Sequence, residues 1–491
     1  METALQPVEA YPRRWLALAV IAIAQLMVIL DATIVNIALP QAQAELGISD
    51  PDRQWVITAY TLTFGGFLLL GGRIADYWGR KRAFIWGSVG FAAASALGGL
   101  ANTGGTLFAA RALQGLFGAL LMPASLALLT VVFTEVRERA KAFAVYGAIA
   151  GGGAAIGLFL GGVLTEYANW RWCLLVNIPI AAIAVAMAIP WVPESKAKGN
   201  TRLDVPGAVV VTLGLVSLVY GFTKAATDGW SAGTTLGFIA AGVVLLILFV
   251  VLQTRVSNPL LPMRILLDRN RGGAYIASLL TGVGLFGAFL FLTFYFQQTL
   301  GYSPLKAGLA SMPVTLGVFI SAGAASQLVP KIGPKPLMVT GALLATAAML
   351  LLTQIAIDST FWLHIFPAEL LLGLGLGSIF VPLSNLALIG VGTHDAGAAS
   401  ATLNATQQIG GSLGTALLNT FATTAAAAYV ADHMSPTANP RMVAGEAAVH
   451  GYTVAFFWAA VFLAIAAVVI MVMVKARRED LPDQSAPAHV G

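Results

Sequence analysis

Three ionisable residues, Asp31, Arg111 and Glu369, stand inside stretches that are otherwise apolar. A charge at the centre of a bilayer costs at least ~2.5–3.5 kcal/mol on insertion scales, and residues of this kind face a bundle interior and mark ion or substrate paths. Burial disfavours an ionised carboxylate and a neighbouring guanidinium favours it. Balanced, the two effects leave a group that loads and releases a proton as its surroundings change. Asp31 lies eight residues, about 12 Å, from the outer end of the apolar run over 15–39. Arg111 lies five residues, about 8 Å, from the outer end of the run over 106–130, so the two sit at similar depth and can pair. Two readings stand: Asp31 is a proton-coupling carboxylate tuned by Arg111, or the two form a permanent ion pair that joins two helices. Glu369, seven residues into the run over 362–389, attracts a cationic substrate, serves as a second proton site, or is a structural acid bonded to a neighbouring helix.

A substrate site is marked more weakly. Gln25, Asn36, Tyr60, Tyr295, Asn404, Gln407 and Gln408 bring polar or amphipathic groups into apolar runs, and Phe286, Phe289, Phe291 and Phe294 make one run aromatic. An apolar cavity with a few polar groups suits hydrophobic ligands, although each residue also reads as a helix-packing group. Other chemistries find no support. The single cysteine, Cys173, forms no intramolecular disulfide or thiolate cluster. The five histidines include no HExxH, and no phosphate-binding P-loop occurs. The acids and histidines expected outside (Glu166, Asp228, Asp358, His364, Asp432, His433, His450) form no triad or metal spacing, and only Asp432 and His433 are adjacent. An enzyme is therefore not expected, nor a bound cofactor.

The elements that position these residues follow from composition. Of 491 residues 58% are hydrophobic and only 10% charged, against roughly 25% charged in soluble domains. Such a chain needs lipid around it, and its 52 glycines suit close-packed membrane helices. A spanning helix takes about 20 apolar residues. That length predicts fourteen spans, near 15–39, 54–72, 83–101, 106–130, 141–164, 173–192, 204–223, 234–253, 273–297, 307–328, 337–357, 362–389, 398–424 and 452–474, with the longest connection at 425–451. Arg13 and Arg14 before the first run imitate a signal peptide, but that run is too long and carries Asp31.

Lys and Arg orient the stack. With a cytoplasmic N-terminus, 21 of the 27 fall in inside loops and tails, five outside (Arg53, Arg171, Lys224, Lys306, Arg441) and one, Arg111, within a span. A miscount by one span would invert every later loop, so an even number of spans and two cytoplasmic termini are expected. The mixed segment over 258–271 (NPLLPMRILLDRNR) reads as an interfacial helix or a plain loop.

The chain also repeats itself. Leu113-Gln114-Gly115 and the stretch MPASLAL over 122–128 recur as Leu372-Gly373 and VPLSNLAL over 381–388. Gly153 and Gly157 match Gly410 and Gly414, and Gly79-Arg80-Lys81 matches Gly333-Pro334-Lys335, at offsets of 254 to 259. Each pair has the same topology. Parallel repeats of this kind build alternating-access transporters with the substrate path between halves. The expected organisation is a six-helix bundle over 1–195, two extra helices over 196–258, a second six-helix bundle over 259–478 and a tail over 479–491.

The stretch GRIADYWGRKR over 72–82 resembles motif A of the major facilitator superfamily, GxLaDrxGrk, with Tyr77 at the family's basic position. The stretch LDATIVNIALP over 30–40 resembles the signature of the fourteen-span drug:proton antiporters of the EmrB/QacA type, and Arg111-Ala112-Leu113-Gln114-Gly115 resembles their RxxQG motif. The resemblance covers essentially the whole chain and implies an all-α major-facilitator fold. It implies efflux of hydrophobic or amphiphilic drugs in exchange for protons, with no cofactor beyond the proton-motive force. It further implies a monomer in the bacterial inner (plasma) membrane whose partners are a small-molecule substrate, protons and lipid, and no nucleic acid. Export of a lipid, siderophore or metabolite on the same scaffold, or a receptor or scaffold without transport, are the alternatives. For motif A (Gly72, Asp76, Gly79, Arg80, Lys81) the resemblance implies a gate, in which Asp76 caps the start of span 13 and Arg80 pairs with Glu135 or Glu138. A static topology determinant is the other reading. The family's antiporter motif GxxxGPxxGG appears as Gly153, Gly157, Gly161 and Gly162 with Leu158 in place of the proline, so any kink there must come from the glycines.

Overall fold

The structure, a computed structural model, describes residues 11–133, 135–196, 204–256, 259–261, 263–389, 391, 396–435, 439–476 and 479. Apolar segments without water close their backbone hydrogen bonds internally, as helices. Helices lie over each of the fourteen expected segments. The first half contains α1 (Arg14–Leu46), α2 (Trp55–Trp78), α3 (Arg80–Gly99), α4 (Gly104–Val132), α5 (Val136–Tyr167) and the pair α6 (Trp172–Leu175) and α7 (Asn177–Trp191). Then come α8 (Val205–Asp228), α9 (Gly233–Arg255) and the short α10 (Met263–Leu266). The second half contains α11 (Arg269–Phe294) with a π-helical turn at Tyr295–Thr299, α12 (Pro304–Ala310), α13 (Met312–Ile332), α14 (Pro334–Leu352), a π-helical turn at Phe361–Ile365 leading into α15 (Phe366–Leu388), α16 (Ala396–His433) and α17 (Pro440–Met473). Among the described residues, eleven segments are long and apolar enough to cross a membrane. The other three, α3, α5 and α16, are diluted by Gly, Ser and Thr or by charges in their first turn.

Helix ends differ from the hydropathy reading where a helix outlasts its apolar run. The connection expected at 425–451 is mostly helix: α16 continues through an Ala-rich stretch to His433, and α17 starts at Pro440. Alanine is the strongest helix former and proline suits the first helical position, and the Asn439 side chain accepts from the Arg441 amide. Among its described residues, the segment over 258–271 contains the four-residue α10, with Ile265 buried among Tyr275, Ala387 and Ala399, and the first turn of α11 from Arg269. Lys198, Arg202, Arg477, Arg478 and, apart from residue 479, the tail expected at 479–491 lie outside the described residues.

The chain divides into two compact units. One is Met1–Val216 with Val256–Leu260 and Tyr302–Leu309; the other is Ser217–Arg255, Leu261–Gly301 and Ala310–Gly491. The boundary falls inside α8. Its first half packs on α2, where Gly66 faces Thr212, and in its second half the Phe222 carbonyl accepts from Thr420 of α16. In the first unit Gly115 lets α4 meet the Tyr60 carbonyl of α2, and the stripe Gly153, Gly157, Gly161 lets α5 meet α1. In the second unit Gly373 brings α15 against the Val314 carbonyl of α13, and Gly410 and Gly414 bring α16 against Leu279 and Val283 of α11. The sequence repeat is thus a repeat of close backbone approaches, the packing membrane helices use without a hydrophobic driving force. The turns repeat as well: Gly79 (φ 125°) joins α2 to α3 and Gly333 (φ 82°) joins α13 to α14, in backbone conformations L side chains avoid. Large apolar residues cover the outside. On α9, Val244 and Ile247 are about 60% exposed (62% and 60%), a surface that lipid covers at no cost.

Candidate proton and substrate sites

Asp31 and Arg111 meet at the centre of the first unit, 0% and 1% exposed. Arg111 Nη1 donates to Asp31 Oδ2 at 2.6 Å. The other carboxylate oxygen accepts from Gln114 Nε2 and from Asn177 Nδ2, both at 2.8 Å. Ser95 Oγ accepts from the same two amides, at 2.7 and 3.3 Å, and so fixes their orientation. Helices α1, α3, α4 and α7 each contribute. Taking two charges out of water costs several kcal/mol per ion, and only good geometry with additional hydrogen bonds offsets it. Here the carboxylate has three donors, one of them charged, which strengthens the bond.

Arg111 does not depend on Asp31 alone. Its Nε donates to the Val56 carbonyl at 2.9 Å, Nη1 also donates to Gln114 Oε1 at 2.8 Å, and the guanidinium lies 4.4 Å from the centre of the Tyr60 ring. If Asp31 took up a proton, the guanidinium would keep two acceptors and an aromatic face. That arrangement lowers the penalty that usually follows removal of one partner from a buried pair, about 3–5 kcal/mol. Gln114 entered the sequence reading only as part of a motif; Asn177 and Ser95 did not enter it. Asn177 carried a signal, an amide within an apolar run. Ser95 follows three alanines and reads as one more small packing residue.

Glu369 is also 0% exposed, in the first turn of α15, but among the described residues neither carboxylate oxygen has a hydrogen-bond partner. The expected substrate residues divide. Gln25 Oε1, Tyr60 OH and Gln408 Oε1 are buried atoms without a hydrogen-bond partner among the described residues. Asn36 donates to carbonyls of its own helix, Ala32 and Thr33, and exposed Asn404 does the same to Ser400. Tyr295 donates to the Ala356 carbonyl at 2.6 Å, and Gln407 is half-buried.

At motif A the expected partner of Arg80 is corrected. Arg80, at the start of α3, binds Asp76 near the end of α2, across the Gly79 turn, through Nε and Nη2 at 2.9 and 2.8 Å. Glu138 is taken by Arg14, which reaches both its oxygens at 2.6 and 2.9 Å, and Glu135 is exposed at the start of α5. A residue the sequence reading missed, Glu194 at the end of span 6, organises the loop. Its Oε1 accepts from the Lys81 and Ser195 amides at 3.1 and 3.0 Å and would lie 2.7 Å from a Cβ on Gly79. Lys81 Nζ donates to the Ile189 carbonyl at 2.6 Å. Gly72 faces Pro123. The start of α16, where Asp76 is expected to cap, adjoins residues 392–395, outside the described residues.

The antiporter-motif glycines present two faces. Cβ atoms on Gly153 and Gly161 would lie 2.9 Å from Ile29 Cγ2 and 3.0 Å from the Ile34 carbonyl, and one on Gly157 would strike Thr33, so this face grips the helix that carries Asp31. Gly162 turns the other way: a Cβ there would lie 2.6 Å from Leu305 Cα. Leu158 is fully buried, with its carbonyl against Gly308, and Glu166 accepts from the Leu305 amide at 3.0 Å.

A helical membrane protein built from two like halves, with a buried ion pair in one, belongs to the class of secondary transporters. The sequence profile of the Major Facilitator Superfamily matches residues 21–415. The chain is 49% identical to the puromycin resistance protein pur8 of Streptomyces alboniger over 95% of its own length and 93% of that protein's. It is 36% identical to the cephamycin export protein CmcT of Amycolatopsis lactamdurans, over 82% of this chain and 84% of that one. Among solved structures it resembles a bacterial homologue of the human lysosomal transporter Spinster, with a TM-score of 0.65 at 15% identity, over 97% of this chain and all of that one (100%). The chain belongs to the Major Facilitator Superfamily, and it is a multi-pass membrane transporter rather than an enzyme.

Proposed function

We propose that this transporter exports hydrophobic or amphiphilic antibiotics from the cytoplasm in exchange for protons, as a fourteen-span antiporter of the EmrB/QacA type. The observation that carries the proposal is the buried Asp31 carboxylate, held by Arg111, Gln114 and Asn177. Asp31 takes up a proton from outside and releases it inside, and Arg111 answers by shifting between the carboxylate and its remaining acceptors. The relatives' names, puromycin resistance and cephamycin export, support the substrate class. In this reading both termini face the cytoplasm of the bacterial inner membrane. The bundles over 1–195 and 259–478 are the moving halves, and the motif A loop with Asp76 and Arg80 is the inner gate. The protein works as a monomer.

The driving force suffices. One charge crossing 100 mV is worth about 2.3 kcal/mol, which supports a gradient of roughly fiftyfold per proton at 1.4 kcal/mol per factor of ten. The test is export in cells lacking their main pumps. Asp31→Asn should abolish proton-driven export at normal protein level, and a protonophore should abolish it in the wild type. Full export in either case would overturn the reading. Relatives named for one compound each favour a second reading, export of a single natural product. A screen that finds one substrate in a broad panel would select it.

A further inference from the structure

The hydrogen bonds around Asp31 suit only one of the two states a proton carrier must visit. An ionised carboxylate accepts and never donates, whereas a protonated one carries an O–H that needs an acceptor. All three partners among the described residues donate: Arg111 Nη1 to Oδ2, and Gln114 Nε2 and Asn177 Nδ2 to Oδ1. A proton arriving on Oδ1 therefore meets two N–H groups, and a buried donor left without an acceptor is disfavoured. The two amides differ in what their oxygens do. Gln114 Oε1 is engaged, accepting from Arg111 Nη1 at 2.8 Å. Asn177, the first residue of α7, is 0% exposed, and its Oδ1 has no hydrogen-bond partner among the described residues. A buried polar atom left unsatisfied calls for an explanation, and this one sits on the side chain that already touches the carboxylate.

Resting on the proton-coupling reading above, we propose that Asn177 is a positioning residue that serves both states of Asp31 by turning its side-chain amide over. With Asp31 ionised, Nδ2 faces the carboxylate, as in this structure. With Asp31 protonated on Oδ1, a half-turn about the terminal torsion exchanges the amide nitrogen and oxygen. Asn177 Oδ1 then stands where Nδ2 stood, 2.8 Å from Asp31 Oδ1, and accepts the new proton. That torsion is broad and roughly two-fold, and the two ends of the amide are nearly alike in size, so the turn needs no new space. Ser95 permits both orientations, because a hydroxyl donates as well as accepts. Its Oγ accepts from Asn177 Nδ2 at 3.3 Å and would donate to Oδ1 after the turn. Gln114 cannot substitute, since turning its amide would set an NH2 against the Arg111 guanidinium. Besides Arg111, the titratable groups that feel the Asp31 charge are Tyr60 of α2 and Cys173 of α6. A phenol and a thiol keep their protons at neutral and acid pH. Helices α3, α5 and α7 bring Ser95, Gly157 and Asn177 here, none of which titrates.

The test is infrared difference spectroscopy between neutral and acid pH on the purified full-length protein, carrying isotope-labelled asparagine, with no gradient and no substrate. Protonation of Asp31 should give a carboxylic-acid band that Asp31→Asn lacks; the amide introduced by that variant is present at both pH values and cancels. Accepting a hydrogen bond lowers a carbonyl stretching frequency. Together with the acid band, one labelled asparagine carbonyl should therefore move to lower frequency, and the movement should be lost in both Asp31→Asn and Asn177→Leu. A fixed donor would instead leave its carbonyl unmoved, or raise it as its bond to the neutralised carboxyl weakens. An Asp31 band without the downward shift, or a shift that survives Asn177→Leu, overturns the inference and leaves the export reading standing. The absence of any Asp31 band sinks both. The wild type and Asp31→Asn decide the matter if Asn177→Leu does not fold.

Discussion

At the scale of single residues, the difference between Asp31 and Glu369 is one of satisfaction rather than burial. Both are withdrawn from solvent, but among the described residues Asp31 receives three donors and Glu369 none. Asn177 offers a sharper probe of the Asp31 site than Arg111 does, because its loss leaves the ion pair and the bond from Gln114 in place. A hydrogen bond to a charged group contributes about 1.5–3 kcal/mol. Asn177→Ala should therefore cut proton-coupled export roughly tenfold or more while the protein still reaches the membrane. Uptake into inverted vesicles under an imposed pH gradient measures this, and a wild-type rate would reduce Asn177 to a packing residue.

At the scale of elements, glycines decide which helices touch. A Cβ on Gly410 would lie 2.8 Å from Leu279 Cα, a backbone atom that cannot rotate away, whereas one on Gly237 of α9 meets nothing within 4 Å. Overpacking costs about 1–3 kcal/mol, and replacing an unconstrained helical glycine by alanine gains roughly 0.5–1 kcal/mol. Gly410→Ala should lower the thermal midpoint of the purified protein, and Gly237→Ala should leave it unchanged or slightly raised. Equal midpoints would mean that α11 and α16 are not packed as closely as the structure has them.

At the scale of the whole molecule, the proposed orientation rests on the Lys and Arg bias, and the native thiol does not interfere with its measurement. Cys173 is buried, so a membrane-impermeant maleimide should leave the native protein unlabelled. Exposed Asn102, just after α3, and exposed Lys331, in the last turn of α13, are expected on opposite sides of the membrane. In intact cells the reagent should label Asn102→Cys, while Lys331→Cys should react only in inverted vesicles. The opposite pattern would invert the topology and the direction of transport with it.

Much of this was legible before any coordinates. The membrane setting, the helical segments, the repeat and the matched depth of Asp31 and Arg111 rest on local quantities: apolar length, charge bias and spacing along one helix. Helix ends were less legible, because hydropathy reports where lipid stops and the backbone of α16 and α17 continues past it. The donors around Asp31 were decided by tertiary structure alone. Asn177 lies 146 residues from it and Gln114 lies 83, and no periodicity says which faces of distant helices meet. The same holds for Arg80, whose partner among several acids was chosen by three-dimensional reach: Arg14 occupies Glu138, and the Gly79 turn folds Asp76 of α2 back against it.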